Sequence, residues 1–127
     1  MPRYRFDAKL PIITLYAKLE GKITVKPKLA LDTGATYVMI PWEIAEVLGL
    51  EPELSGERVD IVTASGVEKV PLVTLKSVTV LGKEAKMVKA AIHDLPPRSY
   101  VDGLLGLSFL RNFKVSLDFR QGILEIE

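Results

Sequence analysis

An aspartate stands where the chain can least easily carry a charge. Leu29-Ala30-Leu31-Asp32-Thr33-Gly34-Ala35-Thr36 ends an apolar run on Asp32 and turns on threonine and glycine, and Tyr37-Val38-Met39-Ile40 is apolar again. An ionised carboxylate between two apolar strands is costly unless it is hydrogen-bonded. The backbone amides of a tight Thr-Gly-Ala turn are the donors within reach. Taken alone, Asp-Thr-Gly is a common surface turn, with Asp bonding its own backbone and Gly supplying a positive φ. The apolar flanks make it a candidate site. The motif occurs once: Asp7, Asp60, Asp94, Asp102 and Asp118 are not followed by Thr or Ser and then Gly.

Around this turn the chain reads as short strands broken at close intervals by Gly, Pro or charged residues, which predicts an all-β fold. Ile12 to Leu19 and Ile23 to Val25 flank Glu20-Gly21-Lys22 as a hairpin. Arg58 to Thr63 and Val67 to Leu72 flank the small, flexible tip Ala64-Ser65-Gly66. Val73 to Leu81 and Ala85 to Ile92 meet at Gly82-Lys83, and Val115 to Phe119 and Ile123 to Ile126 meet at Arg120-Gln121-Gly122. Asp94 to Arg98, with Pro96-Pro97, is a stiff surface loop. Two short stretches are helical: Trp42 to Leu48, which follows Pro41 and stops at Gly49, and one or two turns within Leu107 to Asn112. Neither is long enough to build an α/β sheet.

With 127 residues, 48% of them hydrophobic, the expectation is one domain over residues 1–127. Seventeen basic against sixteen acidic residues are interspersed, so no basic field awaits nucleic acid or an anionic membrane surface. The absence of cysteine excludes disulfides, thiol catalysis and thiolate metal sites. Arg3, Arg5, Asp7 and Lys9 interrupt the first ten residues, unlike a signal peptide, and no apolar run reaches membrane-spanning length. The expected location is cytoplasmic. Asn112 and Gln121 are the only side-chain amides, and Lys, Glu, Val, Ile and Leu abound, a composition that suits a thermophile.

The run Leu29 to Ala35, Val38-Met39-Ile40, Leu48-Gly49-Leu50 and Asp102-Gly103-Leu104-Leu105-Gly106-Leu107-Ser108-Phe109-Leu110 together resemble the retropepsin-type aspartic proteases of cellular and prokaryotic genomes. The resemblance runs from Leu10 to the C-terminus. It implies a closed acid-protease β-barrel with one or two short helices, and an aspartic endopeptidase without cofactor or metal. Its chemistry needs two carboxyl groups that share a proton, one drawing a proton from water and the other donating to the scissile carbonyl. One chain supplies only Asp32, so the resemblance implies a homodimer in which Asp32 meets its own copy across a two-fold axis. Thr33 would hold the dimer by hydrogen bonds across that axis, and Gly106 would let two backbones approach beneath the catalytic turn.

Peptide substrate would lie against Gly34, Ala35 and Thr36, under a flap at Ala64, Ser65 and Gly66, with an ordinary exposed turn as the competing reading of that tip. Apolar pockets would be lined by Leu105, with Val38, Ile40, Val62 and Val67 as further candidates and core packing as the competing reading for each. Alanine at position 35 lacks the hydroxyl that pepsin-like relatives place near the carboxylate. Viral relatives commonly carry an acidic residue at the position of Thr36 and an arginine at that of Leu107, and here both members of that ion pair are absent together. Their C-terminal strands interleave between subunits, a role open to Leu124-Glu125-Ile126-Glu127. The alternative of another class is a noncatalytic dimeric peptide-binding or dimerisation module on the same fold. A phosphoryl-transfer aspartate would need an α/β scaffold and an acidic cluster for magnesium. His93 is the only histidine, placed as a surface or capping residue rather than a ligand.

Overall fold

The computed structural model describes residues 3–127. Along them lie β1 (Arg3–Arg5), β2 (Thr14–Tyr16), β3 (Lys18–Glu20), β4 (Thr24–Val25), β5 (Lys28–Leu31) and β6 (Val38–Ile40), then α1 (Trp42–Val47). After α1 come β7 (Glu57–Thr63), β8 (Gly66–Val80), β9 (Lys83–Ile92), β10 (Gly103–Leu105), α2 (Leu107–Leu110), β11 (Val115–Asp118) and β12 (Ile123–Ile126). Among the described residues no helix is long and apolar enough to cross a membrane.

The fold is mostly β with two short helices, as expected. Its main sheet runs β2-β5-β10-β6-β9-β8-β3-β4, with β7 hydrogen-bonded to β8. The sheet curls strongly, because β2 at one edge and β3, next to the other edge, are halves of one interrupted stretch. β2 pairs with β5, β3 pairs with β8, and only Ala17 separates them. The Ala17 N–H turns aside to donate to Pro27 O at 3.0 Å. Inward side chains from all round the curl, including Leu19, Leu29, Ile40, Leu75, Ile92 and Leu105, are completely buried together with Phe109 of α2. Burying each such side chain contributes about 1.5–3 kcal/mol, which is what holds a sheet of short strands together.

Insertion of β10 decides the architecture. The strand lies between β5, to which it runs parallel, and β6, to which it runs antiparallel, with Leu104 opposite both Ala30 and Met39. Two glycines bracket it because no side chain fits. A Cβ on Gly103 would overlap the carbonyl oxygen of Met39, and one on Gly106 would overlap that of Tyr37 and approach that of Ala35 to 2.6 Å. Immediately beyond, Leu107 N donates to Ala35 O at 2.8 Å and Ser108 N to Thr36 O at 2.9 Å. Ser108 Oγ accepts from Val38 N at 2.8 Å and donates to Lys89 O at 2.7 Å, tying β6 to β9.

β8 departs from the sequence reading, which ends one strand at Leu72 and starts another at Val73. A single strand of 15 residues covers both. Its first half pairs with β7 and its second with β9, and Leu72 is opposite Glu57 on one side and Ala91 on the other. Pro71 carries no N–H to donate, so it suits a strand changing partners. Burial changes at the same place: residues 66–69 are exposed and residues 70–72 buried. The strand is therefore barrel wall at one end and projecting hairpin at the other. Helix α1 also holds a tertiary contact that the sequence did not reveal. Pro41 at its start gives no side-chain cap, and the Trp42 N–H instead donates to Asp94 Oδ1 at 3.0 Å from the loop after β9. At the far end Gly49 N returns to Glu46 O at 2.9 Å.

The chain ends form a separate three-stranded sheet in the order β1-β12-β11. Arg3, Tyr4 and Arg5 pair with Glu125, Leu124 and Ile123, while Val115 to Asp118 pair with the other edge of β12. Both edges of the C-terminal strand are thus occupied by its own chain. The interleaving suggested for Leu124 to Glu127 does not fit this arrangement, because a partner strand would first have to displace β1 or β11.

Two substitutions test the account. Gly106→Ala should destabilise the fold by about 3 kcal/mol or more, since the obstructing atoms are backbone and cannot rotate away. Ser108→Ala should cost about 1–3 kcal/mol by leaving the Val38 N–H without its acceptor. Urea unfolding of both variants against the parent chain gives these differences; a Gly106→Ala protein as stable as the parent would contradict the packing described.

Candidate active site

The turn joining β5 to β6 holds Asp32 at the base of a cleft. Its backbone N–H donates to Leu105 O at 3.1 Å, which docks the residue onto the inserted strand. Its carbonyl accepts from Ala35 N at 3.2 Å, closing the turn. Its side-chain Oδ1 accepts from Gly34 N at 2.8 Å. That bond is the partner expected for a carboxylate between apolar strands, and it orients the carboxyl plane. Asp32 remains half-buried and lines a cavity of about 310 Å³.

Gly34, Ala35 and Thr36 line the same cavity, together with Tyr37 and Met39 of the strand side. Thr33 is exposed at the outer corner of the turn. Across the cavity stand Asp60, Ile61 and Val62 from β7. The projecting hairpin therefore overhangs the aspartate, and its tip residues Ala64 and Ser65 line an adjoining cavity of about 410 Å³. Gly66, with φ of +120°, takes the chain out of the tip in a conformation that side chains rarely adopt. Thr63 Oγ1 accepts from Ser65 N at 3.3 Å and donates to Gly66 O at 3.1 Å, so the tip is a defined turn. At the hairpin base Val70, Leu72 and Ala91 form a second small core with Tyr37, Val59 and Ile61 packed on it, which anchors the overhang to the curl.

Leu105 is placed differently from expectation. Its side chain is fully buried in the core, and its neighbour Leu104 faces both cavities. The reason is the two-residue period of a strand: Leu105 shares the inward face with Gly103, and Leu104 takes the opposite one. Val38 and Ile40 are likewise fully buried, leaving Met39 between them as the cleft residue. Val62 does line both cavities, whereas Val67 is exposed and lines neither. Parity between the flanking buried residues was the available signal for Met39 and Leu104. No sequence signal brought Ala91 or Asp60 to the cleft, since their approach depends on how far the sheet curls.

Bracing of the turn is by main chain: the backbone bonds from Leu107 and Ser108 to Ala35 and Thr36 hold α2 against it. Leu107 is packed against the core instead of presenting a charge. His93 sits at the cleft's outer end, with Nε2 3.4 Å from Glu68 Oε2.

A carboxylate fixed by its own turn, docked on an inserted Leu-Leu-Gly strand and covered by a hairpin can be set against known proteins. Residues 17–112 match the family described as gag-polyprotein putative aspartyl protease. The structure is similar to the crystal structure of a retropepsin-like aspartic protease from Rickettsia conorii, with 27% sequence identity and a TM-score of 0.74 over 98% of this chain and 87% of that one. No curated protein matches the sequence. The matched span contains the Asp32 turn, the overhanging hairpin and the inserted strand, and with the shared fold it establishes that this chain belongs to the retropepsin-like, gag-type aspartyl protease family.

Proposed function

We propose that the protein is an aspartic endopeptidase that works as a homodimer, each copy of residues 1–127 acting as one protease domain. The carrying observation is the fixed Asp32 carboxylate at the base of a cleft roofed by a hairpin. A single chain offers one such carboxylate, and peptide hydrolysis of this type takes two. A two-fold axis beside the turn would supply the second as Asp32 of another copy. Thr33, exposed in the turn, is the residue the family resemblance assigns to hydrogen bonds across that axis.

In the working dimer one carboxyl is ionised and the other protonated. The ionised Asp32 takes a proton from water as its oxygen bonds to the peptide carbonyl carbon, and the protonated copy donates to the carbonyl oxygen. Collapse of the tetrahedral species breaks the C–N bond as a proton passes to the departing nitrogen. Gly34 presents backbone to an extended peptide, and closure of the 64–66 tip would exclude water and fix the substrate. Met39, Ile61, Val62 and Leu104 offer apolar surface to its side chains.

Asp32→Asn should leave fold and dimer intact while lowering peptide cleavage by about 10²–10⁴-fold or more. Mixing that variant with an equal amount of parent protein should reduce activity per parent chain by about half, because half of the parent chains then share a site with a dead copy. Mixing without effect would show that each chain works alone. Absence of cleavage by the parent protein across pH and a broad peptide library, with binding retained, would favour the noncatalytic module. The Ala35→Ser variant adds a donor for the ionised pair, so the acid limb of its pH–activity profile should move to lower pH. An unchanged limb would remove Ala35 from the tuning of the site.

A further inference from the structure

The cleft continues past the catalytic turn into the 410 Å³ cavity, and the two share Met39, Ile61, Val62 and Leu104 as walls. Those four residues make an apolar passage. Its outer end is different in chemistry: Glu68 of β8 and Asp94 of the following loop line it beside Leu95 and Pro96. Among the described residues no lysine or arginine lines either cavity. Asp60, in the inner cavity, is paired with Lys69 at 3.0 Å. Among the described residues Glu68 has no such partner, only the imidazole of His93 at 3.4 Å, which opposes its charge solely when protonated. Asp94 spends one oxygen on the Trp42 N–H at 3.0 Å and keeps its charge.

We infer that this outer cavity is a specificity subsite for a lysine or arginine side chain of the peptide substrate, with Glu68 and Asp94 as the residues that select it. The inference rests on reading the cleft as a peptide channel. A lysine or arginine matches the cavity along its whole length, since its aliphatic stem covers apolar surface while its head stays polar. A purely apolar side chain fills the passage but strips water from two carboxylates without replacing it. An acidic one adds a third like charge. Discrimination comes from both the gained pairing and the unpaired alternative. Because the carboxylates are partly open to solvent, the expected preference is modest, about three- to thirty-fold.

The test separates this subsite from catalysis by measuring binding to Asp32→Asn protein. Fluorescently labelled apolar octapeptides carry arginine at each position in turn, and each is compared with its citrulline isostere at low ionic strength. At one position arginine should bind about three- to thirty-fold tighter than citrulline. In Glu68→Gln with Asp94→Asn the ratio should fall to about one, and asparagine keeps the acceptor for Trp42 so that the helix start survives. In Glu68→Lys the preference should turn toward glutamate at the same position. Equal binding of arginine and citrulline at every position, a preference that persists in the double variant, or no binding of any peptide would each overturn the subsite. Selective binding by a parent protein that cleaves nothing would sustain the subsite and overturn the protease reading.

Discussion

Everything in this molecule that concerns the cleft depends on one close approach, the passage of the Gly103–Leu105 strand between β5 and β6. Its backbone has to run within contact of the carbonyls of Met39, Tyr37 and Ala35, which only residues without a Cβ permit. The same strand supplies the carbonyl that receives the Asp32 N–H and the side chain, Leu104, that faces the cavities. A fold driven mainly by burial thus positions a charged group through backbone hydrogen bonds. That division suits a site whose geometry has to be stiff, because backbone bonds within a sheet have few alternative arrangements.

The overhanging hairpin shows the opposite design. Its outer residues 66–69 are exposed and held mainly by pairing with β7, whereas its base shares a small apolar core with the curl. Few buried contacts toward the tip and many at the base leave the tip less tightly held than its root, which agrees with the cover proposed for an extended peptide. The floor beneath it is fixed instead by main-chain bonds between the turn and α2 and by the Ser108 hydroxyl.

Much of the fold was legible because its hairpins are punctuated by glycine and its helices by Pro41 and Gly49, signals that act locally. The joined β8 was not, because Pro71 looks like a stop until β9 is present to take over the pairing. Of the terminal sheet, the β11–β12 hairpin was legible and β1 was hidden. Arg3 to Arg5 carry no strong strand signal of their own, and become a strand because β12 offers a free edge and Tyr4 Oη donates to Thr14 O at 2.9 Å.

The site divides along the same line. The family resemblance pointed to a close backbone approach at Gly106, whereas local sequence determined that Asp32 lies in a tight turn between apolar strands and that a hairpin tip of small residues follows at 64–66. These are consequences of residue type within a few positions, where turn chemistry and alternation act. Only the tertiary structure decided which face of each strand meets the cleft, placing Leu104 and Met39 there and Leu105, Val38 and Ile40 in the core. It alone brought Asp60, Glu68, Ala91 and Asp94 to the cavities, because their approach is set by sheet curl and strand pairing between residues far apart in the chain.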